Sequence, residues 1–337
     1  MALPTRTQTM NDSLLTLDTY IKSKPVDVTF EPRLLAGAFL SALNQKGAKS
    51  LMGTGEKNIY RRNGRDLLLP VRYGRSSNTQ AFRGMDTLNT NKDTSTTFQS
   101  EVFSNYTDFA AQDWEEAQEN KGDVQEGSIW QARVDQMMDS IGERVEGDMW
   151  STNSTSTNPD EIRGLQHLVA ISPSSGTVWG IDRSTNSWHR NNSVAVTSTF
   201  ASVGLSSLAT GWNAACANGG GDRPTAGFTT SILWNAYMAE AEDIHRITIG
   251  REAELSYDVA TYRGSPVTWS SDCPSGYWYQ LNMKYGFMVV RTNPFYTEYP
   301  EKPNDQLIAN QVRIVFSAQW GFERYDRQTV ISGFTDT

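Results

Sequence analysis

The chain has 337 residues, of which 38% are hydrophobic, and a formal net charge of -8. That length allows two domains or one elaborate one, and the acidic balance argues against a general nucleic-acid binder, which needs a basic face. Its two cysteines, Cys216 and Cys273, exclude a disulfide framework and hold no zinc ion by themselves. They are expected as reduced thiols.

The first residues are polar and lack the apolar run of a signal peptide. No stretch reaches the ~18 apolar residues of a membrane span. The chain is therefore expected to stay in the cytoplasm where it is made, without a membrane partner. Ten tryptophans and thirteen tyrosines fit cores, interfaces and sugar-binding clefts alike.

Residues 1–30 are polar and read as an extended arm. A helix is expected from Pro32 to Lys46, with Leu35, Ala38, Phe39 and Ala42 on one side and Gly47 as its stop. After a loop from Gly53 to Gly64, the segment Asp66 to Tyr73 reads as a strand carrying Pro70. Proline removes a ladder donor, which favours an edge or a two-stranded ribbon. Residues 74–94 are a turn region or long tip, and Phe98 to Thr107 is the returning strand. Such a hairpin is marginal in water and needs a surface to lie on.

Charge divides sharply here. The hairpin carries Arg61, Arg62, Arg65, Arg72, Arg75 and Arg83, and the stretch after it carries Glu101, Asp113, Glu115, Glu116 and Glu119. These are the inter-subunit contact candidates, because complementary patches on neighbouring copies set register and partner choice. An unevenly charged, solvated surface is the plain alternative.

Asp123 to Trp150 organises the chain. Ile129, Trp130, Val134, Met137, Met138, Ile141, Val145 and Met149 fall at gaps of three and four, on one face of a helix. Asp123 and Glu126 have capping-box spacing. At 1.5 Å per residue the helix is about 42 Å long, and its apolar face needs a broad partner, expected in the strands from Gln311 to Ser332.

LQHLVA, within Glu161 to Ile171, is a short helix or strand, and Ser172 to Asn192 an ordered loop anchored by Trp179 and Trp188. A helix from Thr199 to Ala217, a strand from Pro224 to Phe228 and a helix from Ser231 to Arg246 form an alternation that suggests helices over a sheet. Strands follow at Leu255–Tyr262, Ser265–Ser270, Trp278–Met283, Gly286–Thr292, Gln311–Trp320 and Glu323–Ser332, the last two joined through Gly321.

Catalytic motifs are absent: there is no P-loop, dinucleotide fingerprint, HExxH or GxSxG. His167, His189 and His245 read as structural. Glu240 and Asp243 with His245 read as a solvated helix end. Trp269, Trp278 and Tyr279 read as packing residues more readily than as a sugar platform. No catalytic, cofactor or metal residues are assigned.

The layout resembles the major capsid proteins of tailed bacteriophages with the Hong Kong 97-type fold. The resemblance is carried by Thr96–Val124, by the long helix, by Ser174–Asn192 and by Thr210–Met238, and it covers nearly the whole chain. It implies an α+β fold with an N-terminal arm and first helix (1–54), an extended hairpin loop (55–110) and a peripheral domain with its spine helix (111–159). An axial domain (160–265) follows, and then the remaining axial strands with the returning peripheral sheet (266–335). It implies a non-enzymatic shell subunit of the virion, assembled in the host bacterial cytoplasm as pentamers and hexamers around double-stranded DNA that it contacts weakly and without sequence specificity. A portal protein, a separate scaffolding protein and possible decoration proteins are the implied partners. Residues 1–30 precede the expected first helix, so a separate scaffold is expected if assembly needs one, and no lysine–asparagine cross-link can be assigned. The alternatives are a carbohydrate-binding or adhesive tail module and a hydrolase assembled from distant loops.

Overall fold

The computed structural model describes residues 59–84, 86–91, 95–115, 126–216, 221–243, 260–299 and 308–336. The expected arm and the helix from Pro32 to Lys46 lie outside the described residues. In chain order the elements are β1 (Ile59–Arg61), β2 (Asp66–Arg72), β3 (Thr96–Val102), β4 (Ser104–Asp113), α1 (Glu126–Trp150), α2 (Leu165–Leu168), β5 (Thr177–Val178), β6 (Ile181–Asp182) and β7 (Asn192–Ala195). Then come α3 (Phe200–Ala215), β8 (Ala226–Thr229), α4 (Ser231–Asp243), β9 (Ala260–Tyr262), β10 (Ser265–Trp269), β11 (Tyr277–Leu281), β12 (Gly286–Glu298), β13 (Ile308–Phe322) and β14 (Thr329–Ser332).

The apolar stripe forms the long helix. In α1, Val134, Met137, Ile141, Val145, Met149 and Trp150 are buried, as a 3.6-residue period requires of a helix lying on a surface. They join one core with Val312, Ile314, Phe316, Ala318, Trp320 and Phe322 of β13, whose alternation follows the two-residue period of a strand. The sheet beneath α1 has the order β1-β12-β13-β4. β13 pairs antiparallel with both β12 and β4, and β1 adds to the far edge in parallel. Pro294 sits where the β12 register shifts between Val290 and Phe295, a bulge being one of the few places a sheet tolerates proline.

Two expectations about this sheet need correction. β13 does not turn at Gly321 but runs through to Phe322. Gly321 answers instead to a close approach, since a Cβ there would lie 2.4 Å from Trp179 Nε1. Nor is Glu323–Ser332 one strand of the same sheet. Tyr325–Arg327 form a 3-10 turn, and β14 leaves for a second sheet.

That second sheet has six strands in the order β7-β14-β11-β8-β10-β9, with parallel pairs at β7–β14 and β8–β10. The expected helix–strand–helix alternation is present as α3, β8 and α4. The two helices supply Phe200, Leu208, Leu233 and Tyr237 to a second core around Trp278 and Ile331. The chain enters this sheet at β7 and closes it at β14, so its middle and its end are bound together.

The hairpin is a separate two-stranded ribbon, with β2 antiparallel to β3 from Asp66 opposite Val102 to Arg72 opposite Thr96. The expected returning strand, Phe98 to Thr107, is divided at Phe103. Residues before it pair with β2, and residues after it pair with β13. The ribbon's inner face buries Leu67, Leu69, Gln99 and Glu101, while Leu68 and Phe98 on the outer face are 53% and 61% exposed. The surface this hairpin needs is therefore, at its base, that of its own chain. The Ser100 N–H donates to the Trp179 carbonyl at 2.9 Å, and Tyr73 stacks on Trp188 with ring centroids 5.0 Å apart. Toward the tip, side-chain amides replace the ladder: Gln80 Nε2 donates to the Thr87 carbonyl at 3.1 Å, and Asn89 Nδ2 to the Ser77 carbonyl at 3.3 Å.

Candidate assembly surfaces

The six candidate arginines, Arg61, Arg62, Arg65, Arg72, Arg75 and Arg83, are all exposed. None makes an ion pair among the described residues. β1, the turn after it, β2 and the tip thus present a run of unpaired guanidinium groups, which suit carboxylate or phosphate oxygens. Of the acidic candidates, Asp113 and Glu115 are exposed at the end of β4 with Trp114 between them, itself 49% exposed. Glu116 and Glu119 lie outside the described residues.

Glu101 is a correction. Its carboxylate points inward and pairs with Arg163 at 3.1 Å, the two side chains being 5% and 0% exposed. The Thr155 hydroxyl donates to it at 3.2 Å, and Arg163 also donates to the carbonyls of Asn158, Pro159 and Glu161. Burial of one charge requires the other nearby, so Glu101 serves to seat the ribbon on the body within one chain. Arg163 was not singled out from the sequence. Its signal is a cation inside the short apolar run IRGLQHLV, close after Glu161.

Beside this seat, the Ser172–Asn192 segment is ordered, as expected. β5 and β6 form a hairpin whose central residues, Trp179 and Gly180, have φ of 50° and 73°, as a two-residue type I′ turn requires. Trp179 is buried and donates Nε1–H to the Trp320 carbonyl at 3.1 Å. Arg183, fully buried, donates to the carbonyls of His167 and Leu168 at the end of α2 and lies 5.0 Å from the Tyr325 ring centre. Burial pulls its guanidinium down to about 10. His189 is buried, with Nε2 3.1 Å from the Val178 carbonyl. Burial and the neighbouring Arg183 pull its imidazole, like that of His167, down to about 4. Both rings are neutral packing groups near pH 7.

A second polar node ties β4 to α1. The Tyr106 hydroxyl donates to Asp148 at 2.8 Å and accepts from the Ile162 N–H at 2.9 Å. Arg144 bridges Asp148 and Glu161, while burial holds the Asp148 carboxyl above its usual range.

Among the described residues nothing assembles around the weighed alternatives. Trp278 and Tyr279 are fully buried while Trp269 is 47% exposed, so the three form no surface platform. His245 and the side chain of Asp243 lie outside the described residues. Cys216 and Cys273 are free thiols. Among the described residues no group of three or more His, Cys, Asp or Glu is placed to hold a metal ion, and no helix is long and apolar enough to cross a membrane.

No protein-family model and no curated protein matches the sequence. Solved structures do. The chain is similar to one in the cyanophage A-1(L) capsid asymmetric unit, at 14% identity and a TM-score of 0.58, over 83% of this chain and 90% of that one. The fold is the Hong Kong 97-type capsid fold. The same fold extends to the SrpI encapsulin complex of Synechococcus elongatus, at 11% identity and a TM-score of 0.52, over 83% and 86% of the two chains. It extends also to the satellite phage P4 procapsid, solved with its size determination protein, at 10% identity and a TM-score of 0.50, over 99% and 93%.

Proposed function

We propose that this chain is the major capsid protein of a tailed phage, a non-enzymatic subunit that assembles into an icosahedral shell around double-stranded DNA. The observation that carries the reading is the capsid fold matched over 83% of the chain against 90% of a cyanophage capsid chain. In this reading α1 is the spine helix and the ribbon the extended loop. The four-stranded sheet is the peripheral domain, and the six-stranded sheet with α3 and α4 is the axial domain. The exposed arginines from Arg61 to Arg83, with Asp113 and Glu115, form contacts between copies in pentamers and hexamers. Glu116 and Glu119 belong to the same acidic stretch.

The net charge of -8 suits a shell lining that holds packed DNA without binding it tightly. A separate scaffolding protein, a portal protein and possible decoration proteins complete the set of partners, and assembly takes place in the host bacterial cytoplasm.

The test is expression of the full chain, alone and beside the genes that flank it, followed by sedimentation and negative-stain microscopy. The reading expects closed particles of uniform diameter. A chain that remains monomeric in every combination overturns it.

A further inference from the structure

We infer that copies of this chain join head to tail through a cleft under the ribbon, which takes the segment Asp113–Trp114–Glu115 of the next copy. The inference rests on the shell reading and names one contact within it.

The cleft, about 360 Å³, opens between the ribbon and the end of the four-stranded sheet. Arg62 and Arg72 stand at its rim, exposed and without an ion pair among the described residues. Its wall is apolar, made by Leu69, Pro70 and Val71. Gln99 closes it, 1% exposed and with both amide atoms unpaired among the described residues. Buried polar groups without partners call for an explanation, and a backbone peptide pressed against this wall offers both an acceptor and a donor. The one carboxylate lining the cleft among the described residues, Glu323, already accepts from the Tyr60 hydroxyl at 2.6 Å. The cleft therefore asks for an acidic segment that carries an apolar side chain.

Asp113, the last residue of β4, and the helical Trp114 and Glu115 that follow it have that composition. Trp114 is 49% exposed, between exposed Asp113 and Glu115. An indole against a proline-lined wall, flanked by two carboxylate–guanidinium pairs, has the form of an interface anchor.

The geometry forbids the contact within one chain. Asp113 pairs with Ile308 at the start of β13, whereas the cleft sits past its other end, at Phe287, Glu323 and Arg324. Over the 15 residues of β13, at about 3.3 Å each, the two sites lie on the order of 45 Å apart. A patch at one end of a subunit that binds a different patch at the other end is a heterologous contact, which closes into rings when the rotation allows.

Assembly yield of the full chain, measured by sedimentation, tests this with charge-reversed pairs whose folding is checked by circular dichroism. Arg62→Glu with Arg72→Glu, and separately Asp113→Arg with Glu115→Arg, should each lower the yield at least tenfold. Combining all four should restore it to within about threefold of the unchanged chain. Trp114→Ala, which alters no charge, should lower it as well. If only the arginine reversal matters, the cleft takes some other acidic partner and the pairing is overturned. If the unchanged chain assembles and both reversed pairs do too, the pairing falls while the shell reading stands. If the unchanged chain assembles under no condition, the shell reading fails, and the pairing with it.

Discussion

The two surfaces on which this chain folds back upon itself are made differently. α1 meets its sheet mainly through apolar side chains, from Val134 to Met149 against Val312 to Phe322, with the Tyr106–Asp148 hydrogen bond as a polar addition near one end. The ribbon meets the body through a mixture, with Leu67 and Leu69 beside Gln99 and the Glu101–Arg163 pair. Burial of apolar area is non-directional and tolerant of small shifts. A buried ion pair is neither, because its charges hold only in one geometry and are costly when separated. The helix and sheet thus form the rigid body, and the ribbon is fixed at one specified angle to it. In the proposed shell, a hairpin reaching a neighbour would need that angle more than extra stability.

Substitutions can break this comparison or sharpen it. The largest effect is expected in the helix–sheet core. Phe316→Ala, which empties a buried site stacked on Phe295 at 5.0 Å, should cost about 3–5 kcal/mol of unfolding free energy in denaturant titration. At the ribbon seat, Glu101→Gln keeps the shape and removes the charge. Arg163 retains its three carbonyl acceptors, so the loss should be smaller, about 1.5–3 kcal/mol. If the two losses came out reversed, the division into rigid body and seated ribbon would be wrong.

Acidification should act beside the seat before it acts on the core. His189 has a folded value of about 4 against about 6.5 for an unfolded imidazole. Between these values the unfolded chain binds the proton and the folded chain does not, so the stability His189 contributes is complete above about pH 6.5 and is lost as pH falls toward 4. His189→Gln, which can still donate to the Val178 carbonyl, should flatten the slope of stability against pH in that window. An unchanged slope would remove His189 from the account. The smallest effect belongs to the ribbon's outer face. Leu68→Lys, at 53% exposure, should change stability by no more than about 0.5 kcal/mol.

The same contrast explains what could be read from the sequence. The periodicity of α1 was legible because a single face repeats every 3.6 residues over seven turns, and the alternation of β13 from Val312 to Phe322 was legible for the same kind of reason. Pro70 correctly marked a two-stranded ribbon. The break at Phe103 was not legible, because the apolar pattern runs on unchanged while the strand changes partner from β2 to β13. The division of Glu323–Ser332 was hidden similarly, since the 3-10 turn at Tyr325–Arg327 carries no proline or glycine. Among the candidate contact residues, the arginines could be read as an exposed basic run because guanidinium groups rarely bury in number. Glu101 was misplaced because its partner Arg163 lies 62 positions away, a separation that no local rule spans. The cleft that joins Arg62 to Arg72 and Gln99 exists only once the ribbon has folded over β1.

The most direct measurement is a cryo-electron microscopy reconstruction of particles assembled from the full chain. The account predicts a closed icosahedral shell with five and six copies around its axes, the four-stranded sheet and α1 unchanged, and Trp114 of one copy under the ribbon of the next. A discrete oligomer without a shell, or a shell in which the cleft of every copy stands empty of its neighbour, would contradict it.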